Sequence, residues 1–388
     1  MSVRIITGDC RDLMRSMDAE SVDCIVTSPP YWGLRDYGTA FWQGGDSDCD
    51  HIFARTLGMR ASTLQGGKAN QPAESVYRAC PKCSATRIDR QLGMEPTLGE
   101  HLATMVDVFE TARRVLKPTG TLWLNYGDSY AASVNGRSAA DTKAIGDDDR
   151  TFRDKPMSTV GPIRPGNPDK NGGVSNRDGL RVDCESRLKP KDLCMVPNRL
   201  AIALQEAGWW VRSEIIWAKP NPMPESVRDR PTSSHEKLWL LTKSERYFYD
   251  AEAIAEEANH PAGPGNMNGS RYVLAAQSDP MMRTKSGLTQ IGPRPIRNKR
   301  NVWTIPSQPF SEAHFATFPP ALIEPCILAG CPKGGTVLDP FGGAGTTGMV
   351  ADRLGRNAIL IELNPVYAAM ARDRVTGDAG LFAEVATI

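Results

Sequence analysis

Some residues in this chain have types and spacings that could do chemistry. Thr27-Ser28-Pro29-Pro30-Tyr31-Trp32 follows an apolar run that ends at Val26. The two prolines fix the backbone and remove N–H donors, so the carbonyls and the Ser28 hydroxyl remain as acceptors, with an aromatic pair directly after them. A base flipped out of a duplex needs acceptors for its amino hydrogens and a ring to stack on. An exocyclic amino nitrogen is a weak nucleophile because its lone pair is delocalised into the ring. Carbonyl acceptors would favour a pyramidal nitrogen and free that pair for attack. The plainer alternative is a Pro-rich turn with two packed aromatics.

A second group is Val337-Leu338-Asp339-Pro340-Phe341-Gly342-Gly343-Ala344-Gly345-Thr346-Thr347, which reads as a strand, a Gly-rich turn and a helix start. Glycines let a backbone approach a ligand closely, and the helix start offers unpaired N–H groups. No Lys follows the last glycine, which excludes a nucleotide phosphate loop. Glu362 ends the next apolar run, spaced to accept from ribose hydroxyls as acidic residues do in dinucleotide sites. The combination fits a nucleoside without phosphates. Tight strand-to-helix packing is the alternative for the turn alone.

Cys49-x-His51 and Cys80-x-x-Cys83 have zinc-ligand spacing, with Pro81 and Lys82 in a knuckle-like turn. A structural zinc is weighed against unliganded thiols kept reduced. A Pro-Cys pair downstream of the Gly-rich turn could carry a nucleophilic thiol. Pro325-Cys326 lies upstream, within an apolar helical stretch, so a core thiol is expected.

The elements that must position these groups alternate between strand and helix patterns. Val3 to Ile6 and Val22 to Val26 read as strands around a short helix at Asp12 to Met17. A helix from His101 to Leu116 turns at Lys117 to Gly120 into a strand at Thr121 to Leu124. A helix over Pro197 to Glu206 and strands at Trp209 to Ile216 and Lys237 to Leu241 follow. Thr336 to Leu338 and Ala358 to Ile361 are strands flanking a helix at Thr346 to Leu354. Such alternation predicts a mostly parallel α/β sheet with helices on both faces. The packed blocks, 1–42, 93–250 and 301–376, form one discontinuous domain. The expected insertions are 43–92, built on zinc, a polar 130–190 segment and a 251–300 segment.

The 388 residues are 40% hydrophobic and 23% charged, the balance of an ordinary globular chain, and the net charge of +1 neither demands nor excludes nucleic acid. The opening MSVRIITGDC lacks a signal pattern and no run approaches a membrane span, so a cytoplasmic location without a membrane partner is expected. Nine cysteines in that setting argue against a disulfide framework.

Thr27 to Trp32 resembles the Ser/Asp-Pro-Pro-Tyr motif of the amino-group DNA methyltransferases, and Asp339 to Thr347 resembles their Asp-Pro-Phe-x-Gly-x-Gly-Thr-Thr motif. Catalytic motif first and cofactor motif last is the order of the β group of that family. The resemblance implies a Rossmann-like fold that binds S-adenosyl-L-methionine and methylates a flipped base in double-stranded DNA. It places Ser28, Pro29, Pro30 and Tyr31 at the base, and Asp339, Pro340, Phe341, Gly343, Gly345 and Thr346 at the methionine end of the cofactor. Glu362 would hold the ribose, Asp9 and Cys10 the adenine, and His314 to Pro320 would approach the methionine carboxylate.

Ser at position 28 is the form more frequent in cytosine-N4 enzymes, so N4 is favoured over adenine N6. More distant readings are an RNA or protein methyltransferase, or a silent DNA-binding module. The 251–300 segment stands where β-group enzymes carry target recognition. Arg283, Lys285, Arg294, Arg297, Lys299 and Arg300 are candidates there for phosphates or guanine edges, against a merely solvated charge run, with Trp32 added from the catalytic turn. Transfer would be direct and in line, without a catalytic metal or covalent enzyme intermediate. A homodimer and a cognate restriction endonuclease complete the partners considered.

Overall fold

The computed structural model describes residues 2–33, 39–52, 54–56, 74–76, 79–131, 188–189, 191–258, 295–308, 317–379 and 384–387. In chain order the elements are β1 (Ser2–Thr7), α1 (Cys10–Ser16), β2 (Val22–Thr27), β3 (Phe41–Gln43), β4 (Ala54–Thr56), β5 (Glu74–Val76), β6 (Thr86–Ile88), α2 (Leu98–Val115) and β7 (Leu116–Tyr126). They continue as α3 (Val196–Glu206), β8 (Trp210–Ala218), β9 (His235–Thr242), β10 (Glu256–Glu257), β11 (Ile296–Arg297), β12 (Val302–Thr304), α4 (Pro320–Gly330), β13 (Thr336–Asp339), α5 (Thr346–Arg353), β14 (Asn357–Glu362), α6 (Pro365–Ala379) and β15 (Glu384–Thr387).

The chain divides into two compact units. One comprises Met1–Ser28, Val108–Tyr126 and Leu204–Ile388, the other Pro29–Asp107 and Gly127–Ala203. The first unit holds a nine-stranded sheet in the order β12-β8-β9-β7-β2-β13-β14-β1-β15. Among the described strands of this sheet β9 alone runs antiparallel, paired with β7 and β8. All other pairings are parallel. The inner strands are nearly all apolar, as two covered faces require: Val22, Cys24, Ile25, Val26, Val337, Leu338, Ala358 and Leu360 are buried.

The parallel register sets where the strands end. Cys24 pairs with Val337, Val337 with Ala358, and Thr7 with Glu362. Thr27, Asp339, Glu362 and Thr7 therefore close their strands at one carboxyl edge, where open α/β sheets bind ligands.

The expected turn at Lys117 to Gly120 is instead continuous with β7. Leu116 pairs with Val22 and Thr121 with Cys24, so the register jumps across the Pro118-Thr119-Gly120 segment. The turn residues mark an irregularity inside one strand because Lys117 is anchored there by Asp23, 2.7 Å away.

In the second unit β3 pairs antiparallel with β6, and β4 with β5. Of the expected insertions, residues 57–73, 132–187 and 259–294 lie outside those described, and with them Arg283, Lys285 and Arg294. Of the His314 to Pro320 segment, only 317–320 is described. No described helix is long and apolar enough to cross a membrane.

Candidate active site

The Gly-rich turn is built from β13 downward. Asp339 ends the strand fully buried, and its carboxylate joins three segments: Thr27 donates to Oδ1 at 2.6 Å, Thr347 to Oδ2 at 2.6 Å and the Phe341 N–H to Oδ1 at 3.1 Å. Burial pushes the Asp339 carboxyl up, and these three donors restrain it at about 6. Asp339 thus presents to a ligand the turn it holds, since both its oxygens are engaged inside. Thr27 and Thr347 are hydrogen-bond partners of Asp339 that the motifs contain but whose pairing spacing cannot reveal.

Beyond Asp339, Gly342 N–H donates to Ile361 O at 2.8 Å and Gly345 N–H to Gly342 O at 2.8 Å. Gly345 has φ +78°, and a Cβ there would meet Ala371 backbone at 3.1 Å, so helix α6 admits no side chain. Arg374 of that helix donates to Ala344 O at 3.1 Å and Thr346 Oγ1 at 2.8 Å. Nothing in the local sequence signals this residue. Pro340 is buried and Phe341 half-buried beside the turn.

Glu362 is half-buried at the end of β14. Gly343 N–H donates to Oε2 at 2.8 Å and Asn364 N–H to Oε1 at 2.9 Å. Burial raises its carboxyl, the two N–H groups oppose that, and Asp339 adds its charge. A carboxylate oxygen accepts more than one hydrogen bond, so the pair can still take hydroxyls. Gly8 N–H donates to Glu362 O at 2.9 Å, which brings the Gly8-Asp9-Cys10 block to the same edge. Asp9 caps α1 through Arg11 N–H at 2.9 Å and pairs with the Arg11 side chain at 2.8 Å. Cys10 is buried and its thiol is pushed up to about 12, so it is neutral.

Ser28 leaves β2 at the same carboxyl edge, one residue beyond the Thr27 that Asp339 holds. In the second unit Pro29 is buried while Pro30 and Tyr31 are half-buried. Trp32, expected at the DNA, is instead 2% exposed: its Nε1 donates to Glu95 O at 2.9 Å and its ring stacks on His101 at 6.5 Å. With its polar handle satisfied internally, the ring packs inside this unit as a support. Glu95 Oε2 also takes the Gly93 N–H at 2.9 Å and pairs with His101 Nδ1 at 2.8 Å. Gly33 N–H donates to Gly93 O at 2.7 Å. The 93–95 segment therefore backs the Pro30-Tyr31-Trp32-Gly33 turn, and sequence spacing gives no sign of it.

A family model described as DNA methylase, covering N6 and N4 methyltransferases, matches residues 22–373. The chain belongs to this DNA methylase family. It is 38% identical over 374 residues to "Type II methyltransferase M.SmaI" of Serratia marcescens, covering 96% of this chain and 91% of that protein. It is 37% identical to "Type II methyltransferase M.Cfr9I" of Citrobacter freundii, covering 96% and 88% respectively. The fold matches that of PvuII DNA methyltransferase (cytosine-N4-specific) with a TM-score of 0.51 at 16% identity, over 98% of this chain and 89% of that one.

Membership makes this methylase an enzyme that uses S-adenosyl-L-methionine to methylate an amino group of DNA. The Rossmann-like sheet and its carboxyl-edge turn suit that cofactor, since they offer glycine backbone and an acidic strand end in place of a phosphate loop. The expected core thiol is found: Cys326 is buried in α4, its Sγ lies 3.3 Å from Leu322 O, and burial holds its thiol protonated. Of the basic candidates, Arg297, Lys299 and Arg300 converge on Glu256, at 3.4, 3.4 and 3.9 Å. Arg300 is the most exposed of the three.

The cysteines and histidine singled out by spacing are brought together. Ligand atoms of Cys49, His51, Cys80 and Cys83 all lie within 4.8 Å of one another. Burial raises the Cys80 thiol, but N–H groups of Cys83, Ile52 and Lys82 more than offset this and bring it to about 6.

Proposed function

We propose that this methylase is the modification enzyme of a Type II restriction pair and that it methylates N4 of cytosine within a specific duplex site. The Type II names of its relatives support the pairing with a cognate endonuclease. Serine at position 28 supports N4. The observation that carries the reading is the Thr27–Asp339 hydrogen bond of 2.6 Å, which locks the start of the catalytic turn to the start of the cofactor turn.

In this reading the Ser28 hydroxyl and the Pro29 carbonyl accept the amino hydrogens of the flipped cytosine, Pro30 keeps the turn rigid and Tyr31 stacks on the base. Asp9, Cys10, Asp339 to Thr346 and Glu362 shape the cofactor site, with Glu362 on the ribose hydroxyls. Bound S-adenosyl-L-methionine supplies the electrophilic methyl. With the cofactor held there, the nitrogen lone pair would take the methyl as the C–S bonding pair went to sulfur, and the amino group would lose one proton to solvent. Arg297 and Arg300, with Arg283, Lys285 and Arg294, contact the duplex.

The test is to incubate the protein with duplex DNA and cofactor, digest to nucleosides and identify the product by mass spectrometry. N4-methylcytosine is expected. N6-methyladenine would transfer the reading to adenine, and no methylated nucleoside on genomic DNA would remove it. Sequencing modified DNA from expressing cells gives the site.

A further inference from the structure

The structure assigns Cys49, His51, Cys80 and Cys83 to one tetrahedral, structural zinc ion that fixes the segment behind the catalytic turn.

The first ground is donor chemistry. Three thiolates and an imidazole are a soft set that selects zinc over magnesium or calcium. With four protein ligands the shell is complete and leaves no open position for a water, which makes the ion structural rather than catalytic.

The second ground is geometry. Zn–S bonds of about 2.3 Å at tetrahedral angles put two sulfurs about 3.8 Å apart. Cys49 Sγ and Cys80 Sγ lie 4.0 Å apart, and Cys83 Sγ lies 3.2 Å from His51 Nδ1. The backbone is shaped to the cluster. Cys80 N–H donates to Ala85 O and Ser84 N–H to Cys80 O, each at 2.8 Å, and Ser84 takes φ +61° to close the knuckle. Gly45 comes so close that a Cβ would lie 2.8 Å from Cys83 Sγ. Around the cluster, Lys82 pairs with Asp50 at 2.6 Å and the His51 ring sits 5.2 Å from Trp42.

The third ground is what else could hold this segment. Among described residues 39–52 and 79–91, Cys80 and Ala85 are the only buried apolar side chains. Two small residues bury too little surface to order the two described segments, and cross-links take over where a core is missing. Strand β6 begins three residues after Cys83, and the chain then reaches Gly93 and Glu95, which support Gly33 and Trp32. The link to catalysis rests on the reading of Ser28 to Tyr31 as the catalytic turn, whereas the metal site does not.

Elemental analysis of the full-length protein purified without added metal is expected to give one zinc per chain. Replacing it with cobalt(II) should give the intense visible bands of a tetrahedral ion and a thiolate charge-transfer band. His51→Cys should retain the metal with a spectrum shifted toward four sulfurs, while Cys83→Ser should lose it. Metal removal should abolish DNA methylation yet leave S-adenosyl-L-methionine affinity within about twofold. Metal-free folded protein, a six-coordinate cobalt spectrum, or a Cys49–Cys80 disulfide in the non-reduced protein would each overturn the site. Stoichiometric tetrahedral metal whose removal spares methylation would keep the site and overturn its support of the turn.

Discussion

The turn after β13 and the knuckle at Cys80 to Ser84 are both short and both contain a residue at positive φ, yet they are held by opposite means. The first grows out of a sheet. The ladder register of β2, β13 and β14 delivers Thr27, Asp339 and Glu362 to one edge, and a few buried hydrogen bonds then suffice to fix the loop. The second has no such ladder among the described residues: the short β3–β6 pairing, the Ala79–Thr86 bridge, the bonds that close the knuckle and two buried apolar residues hold it. Its position depends on side chains gathered around a point. A loop is precise where the backbone on both sides is already fixed, and otherwise it needs a cross-link.

The largest expected effect tests the first half of that contrast. Asp339→Ala would leave two buried hydroxyls and an amide without an acceptor and should cost about 3 kcal/mol or more of stability by urea unfolding. An unchanged midpoint would show that the ladder alone holds the turn. Cys83→Ser, by contrast, should leave the main unfolding transition of the sheet in place.

The same carboxylate sets a pH dependence. Its folded value of about 6 lies above the ordinary 3.8, so the folded state binds the proton more tightly. Its contribution is then fully present below about 4 and is lost as pH rises through 6, amounting to about 3 kcal/mol by linkage. The stability of the native protein minus that of Asp339→Asn should therefore fall between these pH values. A flat difference would mean that the carboxylate is not desolvated.

Glu362→Ala comes next, because it removes the acceptor of Gly343 N–H together with the proposed ribose partner. Cofactor affinity by calorimetry should drop by about 1.5 to 3 kcal/mol, with DNA affinity unchanged. Equal cofactor binding would strike out the ribose role. The smallest effect is expected across the divide. Glu95→Ala deprives Gly93 N–H and His101 of their acceptor while sparing the Trp32 bond to the main chain, and should cost about 1 to 2 kcal/mol locally. Methylation should fall with cofactor affinity intact, and a loss of cofactor binding would blur the contrast between the two regions.

Sequence alone determined a good deal. The strand-helix alternation, the Gly-rich turn without a lysine and the Pro-Pro-Tyr turn are local patterns whose physical meaning needs no partner, and each was legible. The Cys/His spacing singled out four side chains that the structure does bring together, within 4.8 Å of one another. Only the tertiary structure decided what faces what. It turned Trp32 inward, made Lys117 to Gly120 an irregularity within a strand, and joined Asp339 to a threonine 312 residues away. It also supplied Arg374, Glu95 and His101. These contacts depend on which strands become neighbours and which face a side chain takes. Burial and pairing are properties of the packed sheet and of the loops around it, and no local window of sequence contains them.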